Sequence, residues 1–462
     1  MSQKRSLGRE MLNPRVQGMK DYTLRRTDVN DAEARALALR REPIIDGRLG
    51  NTIKFGLGTY GPYKEALAAA AMDDSSHSYT NAKGLPALNE MLAEGNLEFG
   101  VKGYRIDPER VFVGAGISGL ARSLFDVIID PSGRDNIAVP EWSYIVYFAE
   151  AARTGASIVN VRLCNEDGQV DQDDLRRRIN RNTKAVVVTT VGNPLGIAME
   201  PMVLYGIMEI VDEKEARFGH PIALVVDRIY EDFRTGGEAL DPISMAISGC
   251  RAGPLIDMYS ISKLVAAPGD RLGWMRIYHD GRKYAAEVAA MVEALTRVFQ
   301  PPLGQTPTLQ QEALRRVFAS FSDEKKRMEF EAFRKQRRDE CIRRMRSFVA
   351  GMSEIPGVVF PKYCYGEDGR VDPRRLHSFY ALVGKDKDLR PRGATSLARE
   401  LADFCIDNPG MPVPLGTPGD NFLEASLRNA PQEYMRFVAL FNDEQRAMVL
   451  EAFRRFVDSR MR

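Results

Sequence analysis

Seven short apolar runs punctuate the middle of this chain: Val111 to Val113, Asn136 to Val139, Ser157 to Leu163, Ala185 to Val191, Ile222 to Val226, Leu255 to Tyr259 and Leu272 to Tyr278. Helical patterns lie between several of them, at Leu120 to Ile128, Ser143 to Arg153, Gln172 to Ile179 and Tyr205 to Phe218. The runs are largely apolar throughout and do not alternate, so each predicts a strand covered on both faces. Strands of that kind, joined by helices, form a mostly parallel sheet with helices on either side. An α/β fold follows. In such a sheet a ligand sits beyond the carboxyl ends of the strands, and the polar residues of interest fall there.

The remainder of the chain divides around this block. Residues 1–50 are polar and arginine-rich and read as an N-terminal arm suited to packing on a partner subunit. Residues 51–305 form the large domain. A charged helical region at 306–350, interrupted near Ser320 to Ser322, connects to a smaller α+β domain at 351–462. That domain is expected to hold strands at Val358 to Lys362, Ser378 to Val383 and near Phe422 to Leu427, with helices at Ser396 to Cys405 and Asn442 to Val457. The stretch Pro412 to Asp420 reads as irregular.

Net charge is +2, from 65 basic and 63 acidic residues, which gives no electrostatic reason to expect nucleic acid or an anionic membrane as a partner. Five scattered cysteines without paired spacing suit a reducing cytoplasm. Four widely separated histidines give a metal cluster no support. The charged N-terminus lacks a signal peptide's apolar stretch, and no apolar run approaches the roughly 20 residues that span a bilayer. A cytoplasmic enzyme is expected.

Four strand ends carry the chemistry. Ser260-Ile261-Ser262-Lys263, followed by Pro268, Gly269, Arg271 and Gly273, places small hydroxyls, an amine and a guanidinium together. A desolvated lysine there loses its proton more easily and can attack a carbonyl, while the hydroxyls and Arg271 can hold a phosphate. Read alone, the same residues also make an ordinary solvated turn. Gly114-Ala115-Gly116-Ile117-Ser118-Gly119 opens a helix, whose first amides bind phosphate. It also spells the dinucleotide fingerprint, but it does not follow the first strand, and the acidic residue about 20 positions on, Asp135, precedes a strand where the fingerprint needs it at the end of one. Asn193-Pro194 marks a turn after the run Ala185 to Val191. Asp227, at another strand end and followed by Tyr230, is a carboxylate that needs a partner if buried.

In this order, and with the interval from Lys263 to Arg271, these pieces resemble the class I/II aminotransferases, which are pyridoxal-phosphate (PLP) enzymes of fold type I. The resemblance implies a mostly parallel central sheet flanked by helices, with a smaller C-terminal domain. It implies that Lys263 holds PLP as a Schiff base and then acts as a general base. It assigns the phosphate to Gly116, Ile117, Ser118, Ser260, Ser262 and Arg271. The pyridine ring goes to a stacking aromatic, best matched by Trp142 with Tyr144 second. The phenolic oxygen goes to Asn193 and Tyr230, and the pyridinium to Asp227. It further implies a homodimer in which Tyr79 reaches the neighbouring subunit's phosphate, and a substrate contact at Tyr60.

One departure from the pattern concerns the substrate. The arginine expected on a small-domain strand, to hold a substrate carboxylate, aligns with Glu424, while Arg428 lies four residues later. With Arg428 in the site an ordinary amino acid is the substrate. With Glu424 there, a cationic or unusual one is favoured. The reading is therefore an aminotransferase working between an amino acid and a keto acid. A biosynthetic PLP enzyme doing elimination, decarboxylation, oxidation or carbon–carbon bond formation is the alternative, and a ligand-sensing regulatory domain a further one.

Overall fold

The computed structural model describes residues 20–99, 101–299, 306–386, 396–422 and 434–461. All seven expected strands form and join one sheet, in the spatial order Val111–Gly114, Gly273–Tyr278, Leu255–Ser260, Ala223–Asp227, Thr183–Thr189, Asn136–Pro140 and Ser157–Val161. The pairs from Leu255–Ser260 outward to Ser157–Val161 are parallel, and Gly273–Tyr278 runs antiparallel to both its neighbours. The pairing explains the continuous apolar runs. Successive side chains point to opposite faces. Val225, Ile256 and Met258 enter one apolar layer, while Leu224, Val226, Leu255 and Tyr259 enter the other. Both layers are largely apolar, and the buried Asp257, which shares the parity of Leu255 and Tyr259, is paired with Arg228 and Arg276.

The covering helices follow from their own periodicity. In Gly116–Ile128 the buried residues Ile117, Leu120, Ala121, Leu124 and Phe125 make one apolar stripe against the sheet. Helix Pro201–Phe218 starts with proline at its first position, where no amide bond is lost. The connecting region resolves into helices Thr308–Ala319 and Glu324–Ser353 around a short turn at Ser320–Ser322, as expected. A further helix, Ala285–Phe299, lies in a stretch for which no element was expected.

The small domain is built on an antiparallel sheet, Val358–Val359, Tyr380–Lys385, Tyr434–Val438 and Thr417–Pro418 in spatial order. One expectation changes here. The stretch 412–420 is not wholly irregular, since Val413–Leu415 and Thr417–Pro418 are strands. The expected strand near 422–427, with Glu424 and Arg428, lies outside the described residues. Only Phe422 is described, closing a short helical turn from Gly419.

The arm, expected to suit a partner subunit, makes contacts within its own chain. Its described part packs on the small domain of its own chain: Val29, Ala32 and Ala36 of helix Lys20–Ala38 enter that core with Leu401 and Phe453. Strand Ile44–Asp46 pairs in parallel with Val413–Leu415. Arg35 adds surface ion pairs to Asp403 at 3.1 Å and Asp407 at 2.6 Å, each worth little beside the apolar burial. No helix among the described residues is long and apolar enough to cross a membrane.

Candidate active site

Lys263, Asp227, Ser260 and Asn193 line one cavity of about 430 Å³ together with Arg436 and Tyr380. Its floor is the strand-end edge of the sheet. Asp227 and Ser260 are the last residues of adjacent parallel strands, and Gly273 pairs with both Ser260 and Gly114. Residues next to strand ends are thus carried to a common edge by the sheet register.

Lys263 sits in the turn Ile261–Leu264, 7% exposed. Its amine donates to the Gly50 carbonyl. Burial disfavours its charged form, the nearby Arg337 charge adds to this, and the pKa falls to about 7. The amine is therefore available as a neutral nucleophile or base near physiological pH.

Asp227 is fully enclosed. Burial raises its carboxyl to about 6, against the opposing pull of two bonds: the Tyr147 hydroxyl donates to Oδ2 at 2.6 Å, and the Ile229 amide to Oδ1 at 2.9 Å. A carboxylate held this way takes its charge readily when a cation is placed beside it. Tyr147 was not foreseen. It lies on the apolar helix Ile145–Thr154, where an aromatic reads as plain core.

The anion-binding side is a set of close approaches. Gly116 opens its helix at φ +69°, and a Cβ there would stand 2.9 Å from Arg271 Nη2. A Cβ on Gly273 would stand 2.9 Å from the Gly116 Cα, so both positions require glycine for room. Arg271, itself at φ +52°, is held by the Pro268 carbonyl at 2.9 Å and the Ala115 carbonyl at 3.2 Å. Ile117, Ser118 and Ser262 also line the cavity. Ser260 donates to the Leu272 carbonyl at 2.7 Å and accepts from the Ser262 amide at 3.1 Å, which fixes the turn leading to Lys263.

Three expected residues stand elsewhere. Trp142 does not line the cavity. It adopts φ +59° and packs edge-on against Tyr434 at 6.0 Å, in a neighbouring cleft with Glu141 and Leu163. Tyr144, two residues on, is the aromatic that lines the cavity. Tyr60 is also outside it: at the start of helix Gly61–Ala71 its ring is buried against Phe330 at 5.2 Å and Phe333 at 4.8 Å, an apolar environment that serves packing. Tyr79 is 92% exposed on the surface, away from this chain's cavity.

Arg436, in strand Tyr434–Val438, was missed. It donates to Asn193 Oδ1 at 2.8 Å, to Thr417 Oγ1 at 3.2 Å and to the Arg48 carbonyl. Asn193 and Tyr230, both expected, line the cavity, and the Tyr230 hydroxyl lies 2.5 Å from that of Tyr380. An arginine inside an otherwise apolar five-residue strand is a signal of burial with a purpose, and it was legible in Tyr434 to Val438.

A buried lysine amine, an enclosed carboxylate in want of a cation and a glycine-and-arginine anion cradle at one sheet edge fit pyridoxal 5′-phosphate, and define a fold-type I PLP site. The family described as aminotransferase class I and II matches residues 51–369, and the chain belongs to it. Members of this family depend on PLP. The chain is 30% identical over 225 residues to nicotianamine aminotransferase B of Hordeum vulgare, covering 48% of this chain and 38% of that protein. It is 29% identical over 328 residues to an aspartate/prephenate aminotransferase of Thermus thermophilus, covering 71% and 77%. The match thus spans well under half of the barley relative and most of the bacterial one. In fold it is similar to an alanine aminotransferase from Pyrococcus furiosus, with a TM-score of 0.74 at 22% identity over 97% of this chain and 100% of that one.

Proposed function

We propose that this chain is a PLP-dependent aminotransferase that takes amino acids by their α-carboxylate. The observation that carries the reading is the meeting of Lys263, Asp227 and Arg436 in one cavity wall. When bound, PLP supplies an electron sink that lets the substrate's α-hydrogen leave as a proton. The chain's own residues do the rest. Gly116, Ile117 and Ser118 at a helix start, with Ser262 and Arg271, would take the phosphate, and Ser260, expected there too, gives its hydrogen to the Leu272 carbonyl and so would hold Ser262 in place. Asp227 would hold a proton on the pyridine nitrogen. Asn193 and Tyr230 would bond the phenolic oxygen, and Tyr144, which lines the cavity, would face the ring. The Lys263 amine, near neutrality in its acidity, carries the proton from the substrate carbon.

Arg436 offers a planar fork of donors, which suits a carboxylate. Its presence favours the ordinary α-amino acid over the cationic substrate considered from Glu424. Arg436→Lys is expected to raise KM for the amino donor roughly 100-fold, with a smaller change in kcat, because a charge held in place by Asn193, Thr417 and the Arg48 carbonyl is lost. Steady-state kinetics against one donor checks this, and an unchanged KM refutes the role.

Tyr144→Ala should weaken PLP retention by about 10-fold and Trp142→Ala by much less, as expected for one aromatic contact. Equilibrium dialysis of the cofactor decides between them. The exposed Tyr79 suits a contact with a second copy of the chain, making the working unit a homodimer, and its five free cysteines suit the cytoplasm. Sedimentation would report the dimer.

The function itself is tested by a half-reaction. Protein loaded with PLP is mixed with single amino acids, and the bound cofactor is expected to change to its aminated form with at least one of them. Addition of a keto acid is expected to reverse the change. Release of carbon dioxide or elimination product without that reversal would replace the transaminase reading with the biosynthetic alternative.

A further inference from the structure

Tyr380 begins the small-domain strand Tyr380–Lys385 and lines the cavity, yet none of the roles above uses it. Its hydroxyl is 2.5 Å from that of Tyr230, which follows the large-domain strand Ala223–Asp227. Both phenols are buried. Their contact consumes one hydroxyl hydrogen and leaves the other to point elsewhere.

The ring of Tyr380 makes a second contact. The Arg436 guanidinium lies over it, 4.6 Å from the centroid, the two residues coming from neighbouring strands in which Tyr380 opposes Val438 and Leu382 opposes Arg436. A third contact is with Gly50. A Cβ built there would stand 2.2 Å from the Tyr380 hydroxyl, and the Gly50 carbonyl is the acceptor for Lys263. One side chain therefore touches Tyr230, Arg436 and the backbone segment that receives the lysine.

We propose that Tyr380 is a positioning residue that joins the two domains at the site. Its hydroxyl donates to Tyr230, leaving the Tyr230 hydrogen directed into the cavity, and its ring seats Arg436 for the substrate carboxylate. This rests on the PLP reading, in which the Tyr230 hydrogen is offered to the cofactor's phenolic oxygen. A hydroxyl that accepts a bond becomes a better donor, so Tyr380 strengthens what Tyr230 gives. The ionisable groups facing the pair are Lys263, whose amine is 5.5 Å from the Tyr230 ring centroid, with Arg436 and Tyr144. All three remain when only the Tyr380 hydroxyl is removed.

The test uses the PLP-loaded full chain and reads the pH midpoint of its visible absorption, not its turnover. Tyr380→Phe is expected to raise the midpoint by about half a pH unit, because a phenolic oxygen less well bonded holds the neighbouring proton more tightly. Tyr230→Phe should raise it further, and the double variant no further still, since Tyr380 acts through Tyr230. Tyr380→Phe keeps the ring beneath Arg436, so KM for the amino donor should stay within about twofold.

Gly50→Ala provides a second arm in which Tyr380 is retained. Its methyl collides with the hydroxyl, so the thermal midpoint should fall and the absorption midpoint rise, and adding Tyr380→Phe should recover part of the thermal loss. An unshifted midpoint in Tyr380→Phe, additive shifts in the double variant, or no recovery in Gly50→Ala overturns the proposal and leaves the cofactor reading intact. Absence of any visible absorption in the loaded wild type overturns both.

Discussion

Replacing Lys263 by alanine is expected to lower turnover by on the order of 10⁴-fold, the loss expected when the nucleophile and the base are the same group. The visible absorption of the lysine-bound cofactor should vanish with it. The phosphate cradle at Gly116 and Arg271 does not involve the lysine, so PLP should still associate, reversibly. A second readout needs no cofactor. Burial brings the Lys263 pKa from 10.5 in the open chain to about 7. Below pH 7 the folded protein must hold a buried ammonium, or give up its proton, at a cost on the order of 5 kcal/mol. The cost is complete below the folded pKa and fades as pH rises to the unfolded value. The cofactor-free alanine variant should thus melt higher than wild type at pH 6, with the two curves converging near pH 10. Turnover retained in the variant, or a melting difference that grows with pH, would contradict this account of the site.

Asp227→Asn should separate activity from stability in the same direction. Turnover is expected to fall about 10²- to 10³-fold, because an amide cannot hold the pyridine nitrogen protonated and the electron sink is weakened. The cofactor-free protein should become more stable. The Asp227 carboxyl has its pKa raised by burial from 3.8 to about 6, so ionisation is harder in the fold than in the open chain. Stability tied to the proton is fully present below about pH 4 and lost as pH rises through 6. The loss at neutral pH is on the order of 3 kcal/mol. An asparagine carries no charge; its single oxygen can keep the Ile229 amide, while its NH2 donates to the Tyr147 hydroxyl in place of the bond the carboxylate accepted. Chemical denaturation at pH 4 and pH 7.5 is the measurement, and the gain is expected only at the higher pH. Loading with PLP should reverse the ranking, since the wild-type carboxylate then gains its cation.

Both predictions share a physical origin. Burial makes the charged form of Lys263 and of Asp227 expensive, and a ligand that brings a carbonyl to one and a cation to the other relieves both. The local cost of the site becomes affinity for its cofactor.

How much of this was legible beforehand depends on distance along the chain. The seven strands, the helices at 308–319 and 324–353 and the residues Gly116, Asn193, Asp227, Lys263 and Arg271 follow from short-range signals. Each of these residues lies within a few positions of a strand end, so the sheet register, parallel for Asn193, Asp227 and Lys263 and antiparallel through Gly273–Tyr278 for Gly116 and Arg271, carries it to the common edge. Fold class, and the gathering of these residues at one edge, were therefore determined by the sequence alone. Where two aromatics competed locally, between Trp142 and Tyr144, a left-handed backbone at Trp142 decided the matter, and apolar patterning does not encode that turn.

The substrate end belongs to tertiary structure. Arg436 meets Asn193 across 243 positions, and Tyr380 meets Tyr230 across 150. The Gly50 carbonyl reaches Lys263 across 213, because strand Ile44–Asp46 is sewn to Val413–Leu415 of the small domain. No local periodicity specifies such pairs. They exist because the apolar cores of the two domains, each closing on its own side chains, leave the strand ends of one domain facing the sheet of the other, and the polar residues at that seam are left to bond one another, nearby backbone carbonyls and a ligand.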